Sequence, residues 1–166
     1  MEALDALVLA FQMEVNGKDF YLALSESARE PEISKLLEGL AEMEDEHTLY
    51  ISGKISEIRS KYPELPEPPK ITVDLYDRRY TKMNFDKGGY DEKLTAVLIL
   101  RMAYYIERDF MDFYQKAANV NSGDVKKVFE DLMTWEVKHL MQIKEAMDKL
   151  IKEKGLNPDI YALEGI

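Results

Sequence analysis

The segment EVNGKDFY, residues 14–21, has a near copy 93 residues further along the chain, ERDFMDFY at residues 107–114. The two segments share a glutamate, an aspartate, a phenylalanine and a tyrosine at matching positions. A second pattern recurs at nearly the same separation, because the two histidines of the chain, His47 and His139, each follow a glutamate by three residues. Two features that recur in the same order predict two copies of one structural unit.

Apolar residues around these segments recur with helical spacing and predict four long helices. Pro31 fits the first turn of the second helix, where its missing N–H costs nothing, and Gly155 and Pro158 stop the fourth helix. We place the helices at about residues 2–29, 32–60, 91–119 and 123–154. Each copy is therefore a helix hairpin.

The connection between the hairpins, residues 61–90, contains four prolines within YPELPEPPK at residues 62–70, which a helix does not tolerate. Residues 71–83 fit a short helix inside this connection. Short, long and short connections in turn predict an all-α four-helix bundle, in which one long crossover joins the two hairpins. We expect one domain that spans residues 1–166, with a C-terminal tail at residues 155–166.

The repeated acids are predicted to lie at one depth of this bundle. At about 1.5 Å of rise per residue, each repeated glutamate lies roughly 20–25 Å from the turn that closes its hairpin. A histidine three residues after a glutamate shares its helix face, and apolar residues continue that face on both sides. We therefore expect six polar side chains inside the bundle: Glu14, Glu44, His47, Glu107, Glu136 and His139.

Four carboxylates cannot stay ionised together in a core without compensation, because burial and mutual repulsion both oppose their charge. Two divalent cations would balance the four charges, and oxygen with imidazole ligands suits iron or manganese, with zinc possible. One glutamate from each of two helices and Glu-x-x-His from each of the others is the ligand pattern of di-iron and di-manganese bundles. The sequence thus predicts a dinuclear metal site. The alternative is that these glutamates are solvated, as most are in acidic chains.

The composition argues against several other classes of function. The chain has no cysteine, which excludes a disulfide scaffold, a thiolate zinc site, an iron–sulfur cluster and a catalytic thiol. Its net charge of −10 argues against a nucleic acid or an anionic membrane as a partner. No apolar run approaches the ~18 residues of a membrane span, and the N-terminus lacks the basic region of a signal peptide. We expect a cytoplasmic protein.

With these residues the chain resembles the rubrerythrin branch of the ferritin-like superfamily. The resemblance covers the four helices, about residues 2–60 and 91–154, and implies a ferritin-like bundle in which the six residues above hold two non-haem iron ions. It also implies that Tyr21 and Tyr114, two turns after the glutamates of the repeated segments, hydrogen-bond near the site. Packing in the core is the alternative role for these tyrosines.

The chain departs from the rubrerythrin pattern in two ways. Rubrerythrins commonly carry a cysteine-ligated rubredoxin-like domain that delivers electrons, and this chain has no cysteine, so an external electron-donor protein would be needed. Rubrerythrins also have an additional glutamate one turn after the third-helix ligand, where this chain has Phe110. That replacement argues against peroxidase activity by the usual exchange of ligands.

The resemblance implies an oxidoreductase that reduces hydrogen peroxide or dioxygen. Two alternatives use the same residues: a ferroxidase or iron-handling protein, and a non-catalytic metal-binding bundle. We also expect a homodimer. Trp135 and the nine methionines, which have helical spacing, are assigned to the core.

Overall fold

The computed structural model describes residues 3–63 and 92–163, and all regular structure in these ranges is helical. The elements are α1 (Ala3–Ser27), α2 (Pro31–Lys61), α3 (Glu92–Val120), α4 (Gly123–Lys154) and a short α5 (Pro158–Tyr161). The four long helices confirm the all-α four-helix bundle. Most of the expected crossover, including the helix expected at residues 71–83, lies outside the described residues.

The packing of the helices follows the repeat in the sequence. Helix α1 packs along α2, and α3 packs along α4, so each copy of the repeat forms one hairpin. The hairpins meet through less extensive contacts between α1 and α3 and between α2 and α4. This arrangement brings one face of all four helices to a common interior.

The helix ends have clear local causes. Pro31 occupies the first turn of α2, where a residue without an N–H loses no hydrogen bond. Gly155 ends α4 with a φ of 63°, a left-handed conformation in which glycine has no side chain to clash. The C-terminal tail that follows contains the short helix α5. Asn157 accepts a hydrogen bond from the Asp159 N–H at the start of this helix. Arg101 then donates to the Ile160 carbonyl oxygen at 3.1 Å and holds the tail on α3.

The interior is apolar on both sides of one polar layer. Fully buried leucines lie one or two turns before each repeated glutamate: Leu7, Leu40, Leu100 and Leu132. Because these side chains exclude water, they place the polar layer in surroundings of low polarity. None of the helices within residues 3–63 and 92–163 combines the length and the hydropathy needed to cross a membrane.

Candidate metal centre

The structure brings together all six polar residues that the sequence pattern singled out. Helices α1 and α3 each contribute one glutamate, and α2 and α4 each contribute a glutamate and the histidine one turn later. All four glutamates are fully buried, and the histidines retain 5% and 2% of their exposure. The residues are Glu14, Glu44, His47, Glu107, Glu136 and His139.

The potential ligand atoms form two groups that overlap. Within each group, every residue offers one nitrogen or oxygen atom, and these atoms lie within 4.8 Å of one another. The groups are Glu14, Glu44, His47 and Glu136, and Glu44, Glu107, Glu136 and His139. Because Glu44 and Glu136 belong to both groups, the side chains define two neighbouring positions that share two carboxylates. Each position could hold a metal ion.

Each histidine faces the carboxylates of its own half of the centre. His47 Nδ1 lies 3.0 Å from Glu44 Oε2 and 3.4 Å from Glu14 Oε2. His139 Nδ1 repeats the pattern, at 3.0 Å from the glutamate one turn before it and 3.2 Å from the α3 glutamate. The two imidazole rings stack with their centroids 5.1 Å apart and their planes 7° apart. The two hairpins thus contribute nearly identical halves to the centre.

The two shared carboxylates lack hydrogen-bond donors. No described residue donates a hydrogen bond to either oxygen of Glu44 or of Glu136, although all four atoms are buried; the histidine Nδ1 atoms 3.0 Å away are close but make no hydrogen bond to them. A buried carboxylate without donors is costly, because it has lost its hydration and gained nothing in return. A divalent cation between the two side chains would supply the missing interactions. The donor set of four carboxylates and two imidazoles fits such a cation.

Tyr21 and Tyr114 hydrogen-bond to Glu107 and Glu14, the two glutamates that belong to only one ligand group each. Each tyrosine contacts the glutamate of the other hairpin. Tyr21 on α1 donates to Glu107 Oε1 at 2.5 Å, and Tyr114 on α3 donates to Glu14 Oε1. Both tyrosines are fully buried. In each glutamate one oxygen is therefore held by a phenol, while the other oxygen, Oε2, faces a histidine nitrogen.

The surroundings push the pKa values of these acids apart. Burial, followed by the negative charges of Glu14 and Glu107, raises the pKa values of both Glu44 and Glu136 well above the usual range. Burial also acts to raise the pKa of Glu107, but its interactions with His139, Glu136 and Tyr21 outweigh that effect and lower it. Without a cation, the shared carboxylates therefore favour their protonated form.

An open cavity of about 250 Å³ reaches the centre from its histidine side, between α2 and α4. Its lining consists of Met43, Glu46, His47, Trp135, Lys138, His139 and Gln142. Glu46 and Lys138, which are 92 residues apart and therefore equivalent in the repeat, lie at the exposed rim. A small molecule could approach the two metal positions by this route.

The assignment of all methionines to the core is wrong for Met141, whereas Trp135 does pack against the core. Trp135 is half-buried and lines the cavity, where its ring stacks on His47 with a centroid separation of 4.9 Å. Met13 and Met147 are buried, but Met141 is 52% exposed. The sequence held a signal for Trp135, because it precedes His139 by four residues and so shares that helix face.

A comparison with protein families decides the affiliation of the chain. The family model described as Rubrerythrin matches residues 5–147. The chain belongs to the rubrerythrin family. Among solved structures, a hypothetical protein from Pyrococcus furiosus is similar to this chain with a TM-score of 0.66, over 92% of each chain. At 17% identity, that similarity concerns the fold alone. A search of curated proteins found no match.

Phe110 lies one turn after Glu107, where the resemblance to rubrerythrins leads us to expect an additional glutamate. Its ring is buried and packs against Gly17, the equivalent residue of the first repeat. A methyl group on Gly17 would lie only 3.1 Å from Phe110 Cε2 and 3.7 Å from Glu44 Cγ. The phenylalanine ring therefore fills the space that the glycine leaves beside a shared carboxylate. Sequence reasoning named Phe110 but missed its glycine partner.

The contact between Gly17 and Phe110 predicts that the effect of Gly17→Ala on stability changes sign with the residue at position 110. In the natural chain, alanine should lower the free energy of unfolding by about 1 kcal/mol. Its gain in helix propensity, about 1 kcal/mol, is smaller than the ~1–3 kcal/mol cost of overpacking. In a Phe110→Leu background the same change should stabilise the protein. Chemical denaturation of the four proteins measures this, and an equal effect in both backgrounds would contradict the contact.

The raised pKa values predict how pH acts on the metal-free protein. A carboxylate whose pKa is raised on folding contributes stability that is lost as the pH rises above its unfolded value, about 4.3 for glutamate. Relative to a Glu44→Gln/Glu136→Gln variant, the unaltered protein should therefore lose stability progressively as the pH rises above about 4.3. Glu107 has the opposite shift, and its partners His139 and Tyr21 are present in both proteins. Denaturation at several pH values, with chelator present, measures the stability of both proteins. The same dependence of stability on pH in both proteins would refute the raised pKa values of Glu44 and Glu136.

Proposed function

We propose that this rubrerythrin-family protein is a di-iron oxidoreductase, which reduces hydrogen peroxide or dioxygen with electrons from a separate donor protein. The observation that carries the proposal is the pair of overlapping ligand groups that share Glu44 and Glu136. Membership of the rubrerythrin family, which the match to residues 5–147 shows, supports iron as the metal.

Two iron ions would have matching sets of ligands. Glu14 and His47 would hold one ion, the corresponding pair on α3 and α4 would hold the other, and Glu44 and Glu136 would bridge them. Two divalent ions also balance the charge of four ionised carboxylates, which removes the repulsion that, after burial, raises the pKa values of Glu44 and Glu136. When bound, the ions would supply one electron each and polarise a small oxygen-containing substrate.

The remaining residues would hold and shield the reacting groups. The phenols of Tyr21 and Tyr114 fix the outer oxygen of each unshared glutamate, so that its inner oxygen stays directed at the centre. The buried leucines before each glutamate keep bulk water out. The cavity beside the histidines leaves a route for hydrogen peroxide or dioxygen.

Electrons are proposed to come from outside the chain. None of the 166 residues is a cysteine, so these residues cannot form a thiolate-ligated iron site that would store them. Reduction of hydrogen peroxide to two water molecules consumes two electrons and two protons, and the donor must restore both electrons before the next turnover.

Phe110 favours a second candidate function, that of a ferroxidase or iron-handling protein. An apolar ring replaces the additional carboxylate of the rubrerythrin pattern and cannot exchange as a ligand. In a ferroxidase, ferrous ions are the substrate and leave the site after oxidation, whereas in a peroxidase they stay. Iron analysis after repeated additions of oxidant and reductant, with gel filtration between cycles, separates the two.

The direct test of the proposed function is anaerobic loading with ferrous iron, followed by one equivalent of hydrogen peroxide or dioxygen. We expect rapid appearance of the visible absorption of an oxidised di-iron centre, with peroxide acting at least as fast as dioxygen. Glu42→Gln, which changes an exposed glutamate on the same helix as Glu44, should behave as the unaltered protein. Protein that binds iron but does not react with either oxidant would overturn the enzymatic proposal.

The overlap of the two groups also predicts unequal effects of substitutions on iron content. Glu136→Ala removes a ligand shared by both positions and should abolish binding of both ions. Glu14→Ala removes a ligand of one position only and should leave about one ion per chain, since the other position keeps its full set of ligands. Metal analysis after anaerobic loading measures this. Equal loss of iron from the two variants would contradict the assignment of shared and unshared ligands.

A further inference from the structure

A pair of aromatic rings connects one half of the centre with the protein surface. Trp135 stacks on His47 with a centroid separation of 4.9 Å and an angle of 20° between the planes. Tyr50 meets Trp135 edge to face, also at 4.9 Å. The Tyr50 hydroxyl donates to Asp131 Oδ2 at 2.8 Å, and the other oxygen of Asp131 pairs with the exposed Lys127 at 2.6 Å. The series is continuous from a candidate ligand to the solvent.

The residues at the equivalent positions of the two hairpins do not form a second such series. The residue equivalent to Trp135 in the first hairpin is Met43, and the residue equivalent to Tyr50 in the second hairpin is Gln142. Both line the cavity, but a thioether and an amide replace the two rings. The candidate ligands are the same in both hairpins, whereas these neighbouring residues differ. The four-helix fold therefore does not require the aromatic pair.

We propose that Trp135 and Tyr50 form an electron relay between the His47 half of the centre and the surface near Asp131. The proposal rests on the proposed function, which requires electrons from a separate donor. Indole and phenol rings are the side chains here that can lose one electron and regain it. Their contacts leave no gap between His47 and the half-exposed Tyr50.

Each transfer balances in electrons and protons. Once the bound ions had been oxidised by peroxide, an electron drawn from Trp135 would be replaced by Tyr50, which would reduce the indole by one electron and pass its phenolic proton to Asp131. A one-electron reductant at the surface, such as a small redox protein, then returns the electron to Tyr50, and the proton returns from Asp131. The net result is one electron moved from the donor to the centre, with both rings unchanged.

The charges around Tyr50 suit this exchange. Burial, followed by the hydrogen bond to Asp131 and its charge, raises the pKa of Tyr50, so the phenol is protonated before it is oxidised. Burial acts to raise the pKa of Asp131 as well, but hydrogen bonds from Lys127 and Tyr50 outweigh it and lower the value. The carboxylate is therefore ionised at neutral pH and can accept the proton at Oδ2.

A first experiment tests the relay without iron. A photo-generated ruthenium(III) polypyridyl complex oxidises Trp135, the single tryptophan of the chain, in metal-free protein, and transient absorption follows the indole radical. We expect this radical to pass to Tyr50 and to decay several-fold more slowly in Tyr50→Phe and Asp131→Asn. Tyr105→Phe, which changes an exposed tyrosine on α3, should decay as the unaltered protein does. Equal decay in the unaltered protein and Tyr50→Phe would overturn the relay.

A second experiment tests the relay with iron bound. Trp135→Phe should bind iron and be oxidised by peroxide as before, but an outer-sphere one-electron reductant should re-reduce its centre several-fold more slowly. Met141→Leu, which changes an exposed methionine on the same helix as Trp135, should re-reduce at the original rate. Re-reduction of Trp135→Phe at the original rate would overturn the relay. A chain that peroxide never oxidises would instead overturn the proposed function, and the iron-free experiment would still decide on the relay.

Discussion

Four glutamate side chains enter one layer of an otherwise apolar bundle, and the rest of the interior is arranged around their charge. Burial of ionised groups costs several kcal/mol per ion unless each finds a partner. Two of the four accept hydrogen bonds from buried tyrosines, whereas Glu44 and Glu136 have no donor among the described residues. Because these two carboxylates lack a partner, the polar layer is a candidate site for cations. Their raised pKa values reflect the same lack.

The repeat accounts for the symmetric part of the centre, and departures from the repeat account for what is particular to this chain. Both hairpins contribute a Glu-x-x-His pair, a further glutamate and a tyrosine that reaches across to the other hairpin. Gly17 and Phe110 break the symmetry on one side of the ligands, and Trp135 and Met43 break it on the cavity side. The first departure places an apolar ring beside the shared carboxylate of Glu44. The second gives one half of the centre an aromatic path to the surface.

Helical periodicity was sufficient to predict the four helices, their pairing and the depth of the six polar residues, because these depend on local spacing and on the repeat. It could not predict which glutamate each tyrosine contacts, since the exchange between Tyr21 and Tyr114 depends on how α1 packs against α3. The role of Trp135 in the cavity wall could not be predicted, because its spacing fits both the core and the cavity wall. Gly17 carried no signal, because only a packed ring across the bundle shows why a side chain is absent there.

The central claim is that two ions share Glu44 and Glu136, and anomalous X-ray scattering from a crystal of the iron-loaded protein tests it most directly. Data collected on both sides of the iron absorption edge should show two peaks about 3.5–4 Å apart, as in other two-metal sites. One peak should lie beside His47 and the other beside His139, with both shared carboxylates in contact with each. A single peak, or peaks away from these residues, would contradict the account.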